Sequence, residues 1–451
     1  MRILFITKDF IVEPLGIMYL STALKSAGHQ TDIVKADIEN VEEKIRDFSP
    51  DIISYSIITG DHKYFRNFNL KLKDKFSFIA VFGGPHPTFF NEFINEQGVD
   101  VICIGEGEEA LVDLANRLKD GREFTDLPNL WVKDQGRIIK NPVRPLTDID
   151  SIAFPDRELI YAKYSKSYHN PMKNFIGVRG CPYNCSYCYN YYSREIYQNK
   201  GQYVRLRTVD NFIEEIRQVK NNYPLKMLYF QDDTFGVRIE WLEEFCQKYP
   251  RLINLPFHCH TRANLINEKV VNLLKKAGCS GVTFAIETAD DYLRNQILGR
   301  NMSREEIIKA AKIIKEVGLK LRIFNMLGIP QGSLRHDFET LKLNILCKPD
   351  LGWATIYQPY PKTKLGDLAI KLGLYDGNYD RILESSYFGE SPLNIPDRNK
   401  VNNLQKLFTL TVSFPFLMPL IKILICLPPN ILFKKIYASW KERLNKKMYN
   451  I

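Results

Sequence analysis

Short apolar runs alternate with stretches of helical period along most of the chain, and the two patterns seldom mix. Ile3–Thr7, Thr31–Val34, Asp51–Ile57, Phe78–Phe82 and Val99–Ile104 are brief and mostly apolar. That is the pattern of strands buried on both faces of a parallel sheet. Between them lie segments of helical spacing, such as Leu15–Ala27 with Gly28 at its end. The alternation predicts a five-stranded, doubly wound α/β sheet over residues 1–125, which takes its ligand at the carboxyl ends of the strands. The loops at those ends are Glu13-Pro14-Leu15-Gly16, Ser56-Ile57-Ile58-Thr59-Gly60, Gly83-Gly84-Pro85-His86-Pro87-Thr88 and Gly105-Glu106-Gly107-Glu108. Their glycines and small polar residues let a ligand approach the backbone closely.

From Leu127 to Arg157 the periodicity fails and prolines recur, at Pro128, Pro142, Pro145 and Pro155. This reads as a surface linker over 126–165, with a small hairpin at Val132–Ile138. Alternation then resumes. Asn174–Val178, Met227–Phe230, Pro256–Cys259, Gly281–Ile286, Lys320–Asn325 and Trp353–Tyr357 are the strand candidates. Val209–Lys220, Glu240–Lys248, Glu268–Ala277, Arg304–Val317 and Asp337–Leu346 are the helices between them. Six such units predict an open (β/α)6 partial barrel over 166–375, followed by a helical region over 376–451.

Composition adds little to this picture: 451 residues, 45% hydrophobic and 25% charged, are those of a globular protein of more than one domain. The nine cysteines, three clustered and six scattered, suit a reducing cytoplasm better than a disulfide framework. The opening run Met1–Thr7 meets Lys8 and Asp9 at once and reads as a buried strand rather than a signal peptide. The net charge of +10 invites a nucleic-acid or membrane partner, but much of it is local. Beyond Val401 stand Lys406, Lys422, Lys434, Lys435, Lys441, Arg443, Lys446 and Lys447 against Glu442 alone.

The chemistry concentrates in Gly180-Cys181-Pro182-Tyr183-Asn184-Cys185-Ser186-Tyr187-Cys188, where three and then two residues separate the cysteines. Three thiolates on one tight loop can hold a [4Fe–4S] cube and leave its fourth iron open to a small ligand. A zinc knuckle short of one ligand, or chance clustering of buried thiols, is the plain alternative. The loop, with aromatic Tyr187 before its third cysteine, resembles the motif of the radical S-adenosylmethionine (SAM) family. In that family SAM chelates the open iron through its amino and carboxylate groups.

The resemblance extends through the strand ends over roughly residues 150–370. Asp232 and Asp233, in Gln231-Asp232-Asp233-Thr234-Phe235, stand where the family grips the SAM amino group, and a helix N-cap is the ordinary alternative for such residues. Arg262 is implied near the SAM carboxylate. The preceding His258-Cys259-His260 reads as strand packing with one barrel-facing polar group in preference to a metal cluster. Glu287 suits a ribose diol. Asn325, Met326 and Gly328 belong to the element that packs adenine, with Gln331 where glycine is usual. Gln358 opens a loop in which Lys362 replaces the glycine of a left-handed turn. Ser303 and Glu306 form a capping box.

The four glycine-rich loops of the first 120 residues resemble, in order, the Rossmann/flavodoxin-like cobalamin-binding domain of one radical SAM subfamily. That implies Leu15, Gly16, Ser56, Thr59, Gly60, Gly83, Gly84, His86, Gly105, Glu106 and Gly107 as cobalamin-binding residues. The loop Lys8–Gly16 carries no histidine to ligate cobalt, so cobalamin is expected with its lower base detached. An unliganded or nucleotide-binding sheet is the alternative. The resemblance as a whole implies a [4Fe–4S] cluster, SAM and cobalamin, and C-methylation of an unactivated carbon through a 5′-deoxyadenosyl radical. Alternatives are a cyclase or rearrangement enzyme using the same cofactors, a tRNA methylthiotransferase, or a non-enzymatic iron–sulfur protein. The implied partners are a small-molecule or lipid-like substrate and an electron donor such as flavodoxin or ferredoxin; no nucleic acid is expected.

Leu407–Phe433 is apolar over a membrane-length window but is broken by Pro415, Pro419, Pro428, Pro429 and Lys422. Two short amphipathic helices fit better than a spanning one, resting on an anionic membrane surface or capping the barrel. A cytoplasmic protein, with possible membrane-surface contact, is the expectation.

Overall fold

The computed structural model describes residues 1–10, 12–383 and 390–449. The chain divides into two compact units, Met1–Asn170 with Tyr189–Arg205, and Pro171–Cys188 with Leu206–Ile451.

In the first unit β1 (Arg2–Thr7), β2 (Gln30–Lys35), β3 (Ile52–Ser56), β4 (Ile79–Gly83) and β5 (Val101–Cys103) pair in parallel, in the order β2-β1-β3-β4-β5. Their side chains are buried to both sides. Leu4, Ile6, Ile53, Tyr55, Phe82 and Ile102 share one core, which explains the unbroken apolar runs. The strand order reverses between β1 and β3, so the loops that follow them part to either side and open a crevice.

The stretch expected to be a surface linker with a small hairpin extends this sheet. Its hairpin, β6 (Leu130–Asp134) and β7 (Arg137–Lys140), adds antiparallel to β5, making seven strands in place of five. Residues 126–165 accordingly pack with the first unit. Arg157 makes a 3.1 Å ion pair with Glu13 of the loop after β1, and both side chains are buried.

In the second unit β8 (Met172–Phe175) starts a parallel sheet, and the two-residue strands β9 (Val178–Arg179) and β10 (Arg205–Leu206) flank the cysteine loop in sequence. β11 (Met227–Phe230), β12 (Phe257–His260), β13 (Cys279–Glu287), β14 (Lys320–Leu327) and β15 (Leu351–Ile356) follow in spatial order. β8 and β15 are edges that do not pair, so the sheet is open. Leu228, Phe230, Phe257, Cys259, Val282, Phe284, Leu321 and Ile323 alternate outward into a core under the helices. Tyr229, His258, His260, Thr283, Arg322 and Phe324 take the opposite parity and face inward. The capping box at Ser303 and Glu306 forms as expected.

The tail differs from the expectation of two short amphipathic helices over Leu407–Phe433. Among the described residues it forms three α-helices, Arg398–Ser413, Met418–Leu424 and Ile431–Tyr449. The first is largely buried: Val401, Leu404, Leu407 and Phe408 pack on Leu327, Leu341 and Ala354. Leu407, Phe408 and Val412 of the apolar run are thus covered by protein, whereas Phe416, Leu420, Ile423, Leu427, Ile431 and Leu432 stay exposed.

Candidate functional site

The cysteine loop leaves the sheet after β9 and is fastened from its far side. Ser186 N–H donates to the Leu298 carbonyl (3.0 Å), its hydroxyl donates to Ile297 O (2.6 Å), and Leu365 N–H donates to Ser186 O (3.0 Å). Leu293–Ile297 is a single π-helical turn, a rare element often found beside functional sites. Gly299 follows at φ +64°, where an added Cβ would stand 3.0 Å from the Asn184 carbonyl. The loop and this turn therefore fit only through a glycine.

Cys185 is buried, whereas Cys181 and Cys188 are partly exposed. The Thr234 hydroxyl lies 3.4 Å from Cys181 Sγ, and Arg262 Nη1 lies 3.5 Å from Cys185 Sγ. The Arg262 guanidinium also stacks 3.6 Å over the Tyr183 ring. Burial raises the Cys181 thiol pKa, so loading a metal there releases a proton. A guanidinium and a hydroxyl aimed at sulfurs fit an anionic cluster, whose charge such donors offset. Among the described residues no three Cys, His, Asp or Glu side chains converge on a point suited to a single ion.

The His258-Cys259-His260 triplet divides as strand alternation requires. Cys259 lies in the outer core, His258 Nε2 shares a hydrogen bond with Thr283 Oγ1 (2.7 Å) and His260 Nε2 with Tyr229 Oη (2.6 Å). Burial lowers the His260 pKa to about 3. Both inward groups are polar, one more than expected, and neither joins a metal site.

The remaining strand-end residues separate into those that present chemistry and those that support it. Tyr187 Oη donates to Glu287 Oε1 (2.8 Å) and accepts from Arg300 Nη1 (2.9 Å), and Arg300 stands 3.9 Å from Glu287. Glu287 sits at φ +65°, beside a register shift in the pairing of β13 with β14. Burial raises its pKa, opposed by the Arg300 charge and the Tyr187 hydroxyl. Asp233 is exposed. Asp232 turns the other way: its Oδ1 accepts from the backbone N–H of Gly177 (2.9 Å) and of Val178, tying β11 to the strand that leads into the cysteines. Burial pushes its pKa up to about 7.

Two expected side-chain contacts are redirected. The Asn325 amide points outward, where it exchanges hydrogen bonds with Asn344 of the helix Leu334–Cys347 (3.0 and 2.7 Å). Gln358 is buried, with Nε2 donating to Glu390 O (3.0 Å). Met326 is buried in a cluster against which Tyr187 packs. Gly328 N–H donates to Asp337 Oδ1 (3.2 Å). Sequence reasoning passed over Arg300 and Asp337 as site residues; their polar character within the site's own segments was the available signal.

In the first unit the crevice between the loops after β1 and β3 is bounded by exposed Val12, Gly16, Ser56 and Ile58, with exposed Pro85 on the loop after β4. An added Cβ on Gly16 would meet nothing within 4 Å. Lys8 Nζ bridges the two loops to Asp61 Oδ1 (3.0 Å). Open backbone beside apolar side chains, without an imidazole, fits a flat macrocycle held by its face. Leu15, by contrast, is buried in the core. His86 is fully buried beneath the loop, its Nδ1 hydrogen-bonded to Thr59 Oγ1 (2.9 Å) and its ring stacked 4.1 Å from His62. Burial and the charge of His62 hold its pKa well below 6.5.

Three of the glycines also have internal reasons. An added Cβ on Gly84 (φ +90°) would lie 2.9 Å from the Ile57 backbone. Gly60 (φ +111°) donates its N–H to His62 Nδ1 (3.1 Å). Gly105 (φ +79°) is covered by Tyr197, whose hydroxyl accepts from Glu106 N–H (2.7 Å), while Arg205 pairs with the Glu106 carboxylate. Gly105 and Glu106 are thus engaged by the chain's own Tyr189–Arg205 segment. Gly83 is partly buried on β4, and Gly107 packs near Leu20 and Cys103.

These two sets of sites lie on a parallel α/β sheet whose loops open a crevice and on an open barrel that carries a three-cysteine loop. The sequence matches the B12 binding domain over residues 1–115 and the radical SAM superfamily over residues 175–343. The two domains together are those of a cobalamin-dependent radical SAM enzyme, with [4Fe–4S], SAM and cobalamin as cofactors. An uncharacterised methyltransferase of Pyrococcus horikoshii is 28% identical over 375 residues, covering 79% of this chain and 78% of that one. An anaerobic magnesium-protoporphyrin IX monomethyl ester cyclase of Rubrivivax gelatinosus is 24% identical over 386 residues, 80% and 67%. Among solved structures, the radical SAM methyltransferase TsrM of Kitasatospora setae aligns with a TM-score of 0.69 at 15% identity, covering 82% of this chain and 76% of that chain, which shows the shared fold.

Proposed function

We propose that this enzyme places a methyl group on an unactivated carbon of a small-molecule acceptor, with electrons supplied by a small reductant protein of the flavodoxin or ferredoxin type. When bound, the cluster and SAM supply a radical able to take hydrogen from carbon, and cobalamin supplies the methyl group. The observation that carries the reading is the grouping of Arg262, the Tyr187–Glu287–Arg300 set and exposed Asp233 with the cysteine loop in one unit.

In this reading Cys181, Cys185 and Cys188 ligate the cluster, and Arg262 offsets its charge at Cys185. Asp233 takes the SAM ammonium group, while Asp232 holds the loop that presents the cysteines. Glu287 accepts the ribose hydroxyls and is kept in register by Tyr187 and Arg300. Gly328 and Met326 pack the adenine, with Asp337 fixing the Gly328 amide. Exposed Gly16, Ser56, Ile58 and Pro85 lie against the corrin.

The test is reductive SAM cleavage by the reconstituted full chain. Wild type is expected to form 5′-deoxyadenosine and methionine, and the triple Cys181→Ala, Cys185→Ala, Cys188→Ala variant to form neither. Cleavage by the triple variant would remove the reading. A cyclase-type reaction is the second reading, favoured by the similarity to the Rubrivivax gelatinosus cyclase. A product that gains no methyl group from methyl-labelled SAM would favour it.

A further inference from the structure

Beyond its buried helix Arg398–Ser413, the tail turns outward. Phe416, Leu420, Ile423, Leu427, Ile431 and Leu432 fall within a short stretch and are between 45% and 76% exposed. They stand on a fixed base, since Ile421, Ile425 and Phe433 from the same stretch are buried with Leu404 and Phe408. So the segment is held with one side in the core and its largest apolar side chains outside. Scattered exposed leucines are ordinary, but six large exposed apolar side chains within one seventeen-residue stretch point to an interaction surface.

The surrounding charge has one sign. From Arg398 to Lys441 the chain contains Arg398, Lys400, Lys406, Lys422, Lys434, Lys435 and Lys441 and no carboxylate. Of these, Lys422, Lys434 and Lys435 are exposed within or beside the apolar set. A second copy of this chain would bring the same lysines against them, with no local carboxylate to offset either set. An occupant must therefore be apolar and negatively charged together. The exposed apolar side chains come from a stretch punctuated by Pro415, Pro419, Pro428 and Pro429, whose short pieces suit shallow insertion into a fluid headgroup layer. Crossing the layer is a different matter: among the described residues no helix is long and apolar enough to span a membrane.

We propose that the surface from Pro415 to Lys435 docks the enzyme on an anionic lipid bilayer. The docking does not rest on the methyl-transfer reading above.

Flotation of the full-length protein with vesicles tests this, using phosphatidylcholine alone and phosphatidylcholine mixed with phosphatidylglycerol. Wild type is expected to float with the mixed vesicles at low salt and to be released at high salt. Lys422→Gln, Lys434→Gln and Lys435→Gln should each lower vesicle affinity roughly fivefold. The combined Phe416→Asp, Ile423→Asp, Ile431→Asp variant should lose binding while keeping the thermal midpoint and SAM cleavage of wild type, because its three sites are exposed. Failure of wild type to bind mixed vesicles at low salt overturns the proposal. So does equal binding to both vesicle types, or concentration-dependent dimerisation that the Asp variant abolishes. SAM cleavage measured on the same samples keeps the two readings apart. Vesicle binding without cleavage removes the methyl-transfer reading alone, and cleavage without binding removes the docking surface alone.

Discussion

Asp337 shows how one buried carboxylate can set a pH limit on the fold. One of its oxygens accepts from Gly328 N–H, and the other has no partner among the described residues. Burial pushes its pKa up to about 7 from 3.8. A folded pKa above the unfolded one means that the native state favours the proton. The resulting stability is complete below pH 4 and is lost as pH rises through 7. The upper bound on that loss is roughly 4 kcal/mol, lessened by relaxation around the charge. Asp337→Asn keeps an acceptor for Gly328 and cannot ionise. Thermal midpoints of wild type and variant should diverge in the variant's favour between pH 5 and pH 8, whatever their offset at pH 5. Parallel pH profiles would show that Asp337 does not titrate in this window. Asp232 has the same direction of shift but adjoins the cysteine loop, so Asp337 gives the cleaner measurement.

At the scale of the element, two turns adopt a conformation that their residues disfavour. Gln331 and Lys362 hold φ of +66° and +56°, where the sequence pattern left the turn at Lys362 in doubt. Left-handed backbone costs a residue with a Cβ about 1–2 kcal/mol, and glycine there loses about 0.5–1 kcal/mol of unfolded-chain freedom in return. Lys362 is exposed, so Lys362→Gly sacrifices little contact and should stabilise the protein by up to roughly 1 kcal/mol. Lys362→Val should destabilise it by a similar amount. A denaturant midpoint that falls for the glycine variant would show that the lysine side chain itself contributes. The strands were legible because burial on both faces leaves an apolar run that local sequence reveals. The docking of the hairpin Leu130–Lys140 onto β5 was not, because pairing with a distant edge leaves no local trace. The tail run was ambiguous because protein and lipid both cover apolar side chains, and only the fold showed that Leu407 and Phe408 face protein. Gly105 looked like a ligand contact for a related reason: the group that requires it, Tyr197, lies far along the sequence.

For the whole molecule, the arrangement of histidines decides how cobalamin can be held. The chain has seven, and four of them, His29, His62, His86 and His169, lie in the unit that carries the B12 binding domain. His29 hydrogen-bonds Asn116 Oδ1 (3.1 Å). His62 and His86 stack on each other in the interior, and burial holds His86 neutral. His169 is exposed on the short helix Ser165–His169 and bonds back to Ser165. None belongs to the loop Lys8–Gly16, which instead places exposed Val12 and Gly16 at the crevice. A neutral imidazole is the ordinary nitrogen ligand of a protein-bound metal, and here none is mounted where the corrin face would lie. With the cofactor's own lower base detached, as the resemblance implies, no nitrogen from either source would reach cobalt. The full-length protein loaded with cobalamin and reduced to cobalt(II) should therefore give an electron paramagnetic spectrum without nitrogen superhyperfine splitting. His86→Phe and His62→Phe should leave that spectrum unchanged, even if they loosen the packing under the loop after β4. Nitrogen splitting in wild type would contradict this arrangement. Its loss in His86→Phe would show that the buried imidazole turns outward when cobalamin binds.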